Sequence, residues 1–466
     1  MTKTYLKYRS RVIITSGFIV FFWVGLSVRL FQIQIVDGEE LRLKGQSQSM
    51  VQKPLKAVRG NIYDRDNVAF TRNIIHYSFG AHPSQIENKD EFAEWISDAT
   101  GEDKSKYLKK LNSSRSFEYL ERNLQRKHCE KLLVNKPNGL IVERDSRRYY
   151  PHGNLAAQAI GFVDLDDKGI AGIEQKYNSY LTGAPGWVVR QMSGRGNTRY
   201  KTNLPQKPPV DGASIQLTID LEYQAILQEE LAMQVEKTSA SSAMGLILNP
   251  QTGDILAMAT VPDFDPNYPG RGEIGWQRNK VLTDQFEPGS TFKIVPITGA
   301  LDQNTVSLWQ EFNCENGSYT FAGQTIKDWD DFGLLTVPQI MENSSNVGVI
   351  KIAETLGRNN LYRYSRNLGF GMATNISLAG EHPGTLRQVT EWSHISLAQI
   401  SLGHEVGVTT LQLGMAYAAI ANGGFLMKPR LIKQIISSSG KTVYAEQPEV
   451  IRKVASKNVM DIMTDM

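Results

Sequence analysis

Residues 12–28 contain no charged side chain, and eleven of these seventeen residues are Val, Ile, Leu or Phe. As a helix, those eleven side chains favour insertion into a bilayer by about 3 to 7 kcal/mol in total. The segment therefore reads as a single membrane helix. Lys3, Lys7, Arg9 and Arg11 precede it, and Arg29 follows with a side chain long enough to reach the far interface. The basic flank is expected to stay cytoplasmic, with Asp37, Glu39 and Glu40 emerging outside. No small-residue cleavage site follows the apolar run, and residues 29–36 continue in helical style. That favours a retained anchor over a cleaved signal peptide, with the bulk of the chain extracytoplasmic.

At 466 residues the chain is too long for one hydrophobic core, so two folded domains are expected beyond the anchor. A formal charge of +3 is too small for a nucleic-acid footprint. Cys129 and Cys314 have neither metal-ligand spacing nor the density of a disulfide scaffold, and read as ordinary thiols. From residue 37 to about 205, short strand-like runs alternate with charged helical stretches such as 89–110. No cluster of nucleophile, base and acid stands out there, so the segment reads as a support module. The run Asn203-Leu-Pro-Gln-Lys-Pro-Pro-Val-Asp-Gly212 marks a boundary before a strand at 214–219. A helix is expected over 221–235. Strands at 243–248 and 255–261 flank the turn Asn249-Pro-Gln-Thr-Gly-Asp254 and form a hairpin. From 290 to 421 the signal is mostly helical, with apolar spacing over 340–356 and 410–421.

The chemistry centres on Glu287-Pro-Gly-Ser-Thr-Phe-Lys293, a turn feeding a helix that sets Ser290 and Lys293 on one face. A serine hydroxyl is a weak nucleophile until a base takes its proton, and a lysine can do so only when neutral. An ordinary lysine needs about 4.6 kcal/mol to deprotonate at pH 7. Lys293 must therefore be buried or positively biased. Ser438-Ser-Gly-Lys441 repeats the spacing but lies among serines and glycine in a surface-type turn. About fifty residues beyond Ser290, Glu342-Asn-Ser-Ser-Asn346 supplies Ser344, able to relay a proton, and Asn346, able to hold a substrate amide. Ser365-Arg-Asn367 and Ser456-Lys-Asn458 have the same spacing, so order and surroundings carry the weight.

Those surroundings resemble class B penicillin-binding proteins over nearly the whole chain, and Ser-x-x-Lys followed by Ser-x-Asn is a signature of penicillin-binding proteins and serine β-lactamases. Arg59-Gly-Asn-Ile-Tyr-Asp-Arg65, Arg148-Tyr-Tyr-Pro-His-Gly153 and Gly169-Ile-Ala-Gly-Ile-Glu174 look like the family's pedestal motifs. Ser344-Ser-Asn-Val-Gly348 and Val408-Thr-Thr-Leu-Gln-Leu413, running into Ala418-Ala-Ile-Ala-Asn-Gly-Gly424, look like its transpeptidase domain. Glu287 before Pro-Gly-Ser, and Ser-Ser-Asn where elongation-type relatives usually carry Ser-Cys-Asp, are similar to the division-specific FtsI branch.

The resemblance implies an α+β fold: anchor over 1–36, an elongated mixed pedestal of the dimerisation type over 37–210, and a transpeptidase domain over 211–466. In that last domain an antiparallel sheet would be flanked by helices and a helical subdomain. It implies a D,D-transpeptidase of septal wall synthesis, with Ser290, Lys293 and Ser344 catalytic and Asn346 substrate-binding. No metal or cofactor is needed. Stem peptides of peptidoglycan and β-lactams would be the ligands. An FtsW-type membrane glycosyltransferase and other division proteins would be partners, at the inner membrane with the bulk periplasmic.

The family's third motif, Lys-Thr-Gly or Lys-Ser-Gly, is absent, since Gly440-Lys-Thr-Val443 lacks the second glycine. The chain is expected to end shortly before it, as a fragment lacking some sheet strands. Two other readings stay open: a β-lactamase or β-lactam sensor, and a non-catalytic divisome scaffold. Asp64, Arg65, Arg148 and Glu174 read as charges that fix pedestal packing. His404 and Glu405 read as packing or solvated surface rather than as a base and its orienter. Thr410 replaces a usual proline at a helix start. Tyr268 and Trp276 either line the cleft or pack.

Overall fold

The computed structural model describes residues 2–134, 137, 139–192, 198–199 and 204–466; Asn203, the first residue of the expected boundary, lies outside them. The chain forms two compact units, Met1–Ala57 with Ala184–Val210, and Val58–Gly183 with Asp211–Met466.

The first unit begins with helix Thr2–Phe31, extended by a π-helical turn at Gln32–Val36 and followed by helix Gly38–Ser49. Arg11–Val36 is long and apolar enough to cross a membrane. Its apolar side chains, Phe18 and Phe21 among them, have no protein neighbours to cover them. Strand Met50–Leu55 pairs antiparallel with Gly186–Met192, which also pairs with Gln206–Lys207.

In the second unit, Arg72–Ala81 is the centre of a three-stranded antiparallel sheet between Glu118–Gln125 and Leu140–Tyr149. The charged stretch 89–110 forms two helices, Lys89–Thr100 and Lys104–Leu111. Asn88 caps the first, and Gly101 ends it at φ +77°, a left-handed conformation that costs glycine nothing. Phe92, Ile96, Tyr107 and Leu111 then close a core with Phe79 and Leu120 of the sheet.

A second core runs from Ile62 to Met463. Ile62–Tyr63 pairs in parallel with Ser214–Leu217, which continues antiparallel to Ile432–Ile436 and on to Thr442–Ala445. The two sides of the proline-rich segment thus share one sheet. Glu174 is fully buried between Arg59 and Arg148, accepting from Arg59 Nε at 2.8 Å and Arg148 Nε at 2.6 Å. Arg59 also donates to the Asp167 and Glu174 carbonyls, and Arg148 Nη1 to the Asn61 and Asn73 side-chain oxygens. The expected packing role fits Arg148 and Glu174, joined by Arg59, whereas Asp64 does something else: its Oδ1 accepts from the Asp66 and Val68 amides and shapes its own turn.

Hairpin Ala243–Asn249 with Asp254–Val261 forms around the expected turn. Successive strand residues point to opposite faces. Gly245 lies against Leu227 and Leu231 of helix Leu221–Thr238, while Leu246 and Leu248 meet Gly414 of helix Thr410–Ala421. The hairpin is therefore sandwiched between two helices. Asp220 caps the first through the Glu222 and Tyr223 amides; Thr409 and Gln412 form a capping box on the second, with Thr410 as its first residue.

Candidate active site

The expected helix at 340–356 is broken. Val337–Glu342 stops, residues 343–345 turn, and Asn346–Leu356 starts afresh. Apolar periodicity survives because Ile340 packs on Gly348 across the break. Ser344 sits in the turn at φ +51°, an uncommon conformation for a residue with a Cβ. Such strained positions cluster where side chains must be aimed. Ser345, next in line, is fully buried and caps the new helix by accepting from Gly348 N at 2.9 Å.

The other half of the site is a 3₁₀ turn, Gly289–Lys293, feeding helix Ile294–Asp302. With three residues per turn, positions i and i+3 eclipse, so Ser290 and Lys293 lie one above the other. Ser290 is exposed while Lys293 is 1% exposed. Gly289 has φ +57° with open space where a Cβ would stand. Gly403 is different: a Cβ there would lie 2.2 Å from Gly289 O, and Gly289 N donates to Gly403 O at 3.2 Å. Gln285–Phe286 also pairs with Val408–Thr409. The segment around 403–409 thus holds the Ser290 turn from behind.

Helix Ile294–Asp302 packs on helix Asn346–Leu356, and this brings the two motifs together. Lys293 Nζ donates to the Ser344 carbonyl, lies 3.0 Å from Ser344 Oγ and donates to Asn346 Oδ1 at 2.9 Å. Burial pulls the Lys293 amine down to about 8, against the opposing pull of the Asp328 carboxylate. At that value, neutralising it at pH 7 costs about 1.4 kcal/mol instead of about 4.6. A neutral amine has two N–H groups and one lone pair. It can keep the Ser344 carbonyl and Asn346 Oδ1 as acceptors and still take a proton from a serine hydroxyl. Asn346 Nδ2 donates to Lys327 O at 2.9 Å, which leaves one N–H and one lone pair for a ligand.

Sequence reasoning missed Asp328. In a loop 18 residues before Asn346, it binds the start of the new helix. Its only signal was an acidic residue somewhere upstream of a helix N-terminus. His404 and Glu405 belong to the strap behind Ser290: Glu287 accepts from Glu405 N at 3.0 Å and pairs with His404 Nδ1 at 3.1 Å. Ser438-Ser-Gly-Lys441 is the exposed turn between Ile432–Ile436 and Thr442–Ala445, with Gly440 at φ +84°. Among the described residues no group of His, Cys, Asp and Glu is arranged to hold a metal ion.

Residues 243–466 match the penicillin-binding protein transpeptidase domain, and residues 54–217 the penicillin-binding protein dimerisation domain. The probable peptidoglycan D,D-transpeptidase PenA of Neisseria meningitidis is 31% identical, over 91% of this chain and 73% of that protein. The peptidoglycan D,D-transpeptidase FtsI of Buchnera aphidicola is 30% identical, over 91% of this chain and 75% of its own. Among solved structures, a peptidoglycan synthetase from Bifidobacterium adolescentis superposes with a TM-score of 0.69 at 26% identity, covering 89% of this chain and 80% of that one. With both domain types matched in order behind an apolar N-terminal helix, this chain belongs to the class B penicillin-binding proteins.

Proposed function

We propose that the protein is a serine D,D-transpeptidase cross-linking peptidoglycan stem peptides in septal wall synthesis. Ser290 attacks the carbonyl of a terminal D-Ala-D-Ala and its proton passes to neutral Lys293. The tetrahedral adduct collapses, D-alanine leaves as a protonated amine, and an acyl-serine remains. An amine of a neighbouring stem peptide then takes the acyl group, with Ser344 relaying protons between Lys293 and the departing or attacking nitrogen. Asn346 holds the donor's amide. The observation that carries this reading is Lys293 itself, a buried lysine bound at once to Ser344 and Asn346. β-Lactams, which resemble the donor, acylate the same serine.

The test gives the full-length protein a D-Ala-D-Ala stem peptide and an amine acceptor. Released D-alanine matched by cross-linked product is expected. D-Alanine release with hydrolysed peptide alone would contradict transpeptidation.

We also propose the division into anchor 1–36, pedestal 37–210 and transpeptidase domain 211–466, with the N-terminus cytoplasmic at the inner membrane. The basic flank at Arg9 and Arg11 supports that orientation. An FtsW-type glycosyltransferase and other division proteins are the proposed partners. Protease added to spheroplasts should digest everything beyond about residue 36, and protection of the C-terminal portion would reverse the topology.

A further inference from the structure

Asp328 belongs to neither sequence motif, yet its carboxylate holds one of them together. Oδ2 accepts from Ser345 Oγ at 2.7 Å, while Oδ1 accepts from Val347 N at 3.1 Å and from Asn346 N. A single carboxylate thus engages the cap and the first two amides of helix Asn346–Leu356, where an anion is favoured by both the free N–H groups and the helix dipole. The neighbouring Lys327 carbonyl fixes Asn346 Nδ2. These contacts pin residues 345–347 and leave Ser344 turned at φ +51°, with its carbonyl and hydroxyl both on Lys293.

From this geometry we infer that Asp328 is a positioning residue for the acylation step, acting on Ser344 and Asn346 through the backbone and on Lys293 through its charge. The inference rests on the acyl-serine chemistry proposed above. Asp328 is the carboxylate that acts on Lys293, and it favours the ammonium form. Asp328 also acts on Cys314, whose other charged neighbours are Lys351 and Glu315, joined to each other at 2.6 Å. The carboxylate therefore has opposing effects: it builds the corner that aims Ser344, and it keeps Lys293 protonated to a higher pH than burial alone would.

The two effects separate by mutation. Asp328→Asn keeps an oxygen acceptor for the Asn346 and Val347 amides and removes the charge. Ser345→Ala keeps the charge and removes one of its bonds. The measurement is the second-order rate of acylation by a fluorescent penicillin, from pH 5 to 10, on the full-length protein. In Asp328→Asn the acid limb should move to lower pH by about one unit, the scale of one nearby opposite charge. In Ser345→Ala the plateau should fall about tenfold, the scale of one charge-assisted hydrogen bond, with the limb unmoved. A profile of Asp328→Asn superimposable on the unmodified protein overturns the electrostatic role. Should that variant fail to fold, Ser345→Ala decides: an unchanged plateau or a moved limb overturns the inference. Absence of acylation in the unmodified protein would overturn the proposed function as well. Acylation with an unmoved limb in Asp328→Asn overturns only the role of Asp328.

Discussion

Lys293 Nζ stands 3.0 Å from Ser344 Oγ, joining segments 51 residues apart in a site from which Lys293 is almost wholly shielded from water. Burial pulls such a lysine well below its ordinary value, and the consequences for rate and for stability can both be measured.

Acylation should rise with pH and reach half its maximum near pH 8, because the proposed base is the neutral amine and burial pulls Lys293 down to about that value. Lys293→Arg, whose guanidinium stays charged, should lose about 100- to 10,000-fold in acylation rate at every pH. The same shift acts on stability. Lys293 binds its proton less tightly folded than unfolded, so the unfolded state holds more protons between about pH 8 and 10.4. Its contribution to stability is least favourable below pH 8 and improves as pH rises through that window. A pH–rate profile and denaturant titrations at pH 7 and 9.5, the latter read as the difference from Lys293→Met, check the two signs.

Glu174→Gln should leave two buried guanidiniums without a counter-charge and destabilise the second unit by about 3 to 5 kcal/mol, the cost of breaking a buried ion pair. Urea unfolding reads this directly. Molecules that remain folded should still be acylated, since Glu174 touches nothing in the Ser290 site.

Gly403→Ala and Gly289→Ala should differ. At Gly403 the new methyl would collide with the Gly289 carbonyl, besides adopting φ +79°. At Gly289 only the left-handed backbone is strained, at about 1 to 2 kcal/mol, because nothing lies within 4 Å. The expected outcome is a large loss of acylation in Gly403→Ala and a smaller one in Gly289→Ala, measured against their thermal melts. Equal losses would mean the strap does not position Ser290.

His404→Ala should change acylation only a few-fold, since the exposed pair with Glu287 braces a turn and touches no reacting atom. Loss of a general base would instead cost about 100-fold or more. The steady acylation rate at pH 7.5 separates the two.

What was legible in the sequence was local. Ser290 and Lys293 are three residues apart, so any helical turn juxtaposes them, whether α as expected or 3₁₀ as found. The hairpin over 243–261 followed from strand-like runs flanking a turn, and the helix at Thr410–Ala421 from apolar spacing. The break at 343–345 was hidden because the apolar pattern continues across it. Asp328 and the strap at Gly403 were hidden because they act through backbone amides and carbonyls, which any residue type carries. Arg148 and Glu174 could be named as structural charges, but Arg59, their third partner, could not, since it lies more than a hundred residues from Glu174 in sequence.

The central claim is that Ser290 alone is the activated nucleophile, although Ser438-Ser-Gly-Lys441 has the same spacing. The direct measurement is covalent labelling of the full-length protein by a fluorescent penicillin, comparing Ser290→Ala with Ser438→Ala. The account predicts no label on Ser290→Ala and full labelling of Ser438→Ala, whose serine sits in an exposed hairpin turn. Persistent labelling of Ser290→Ala would contradict it.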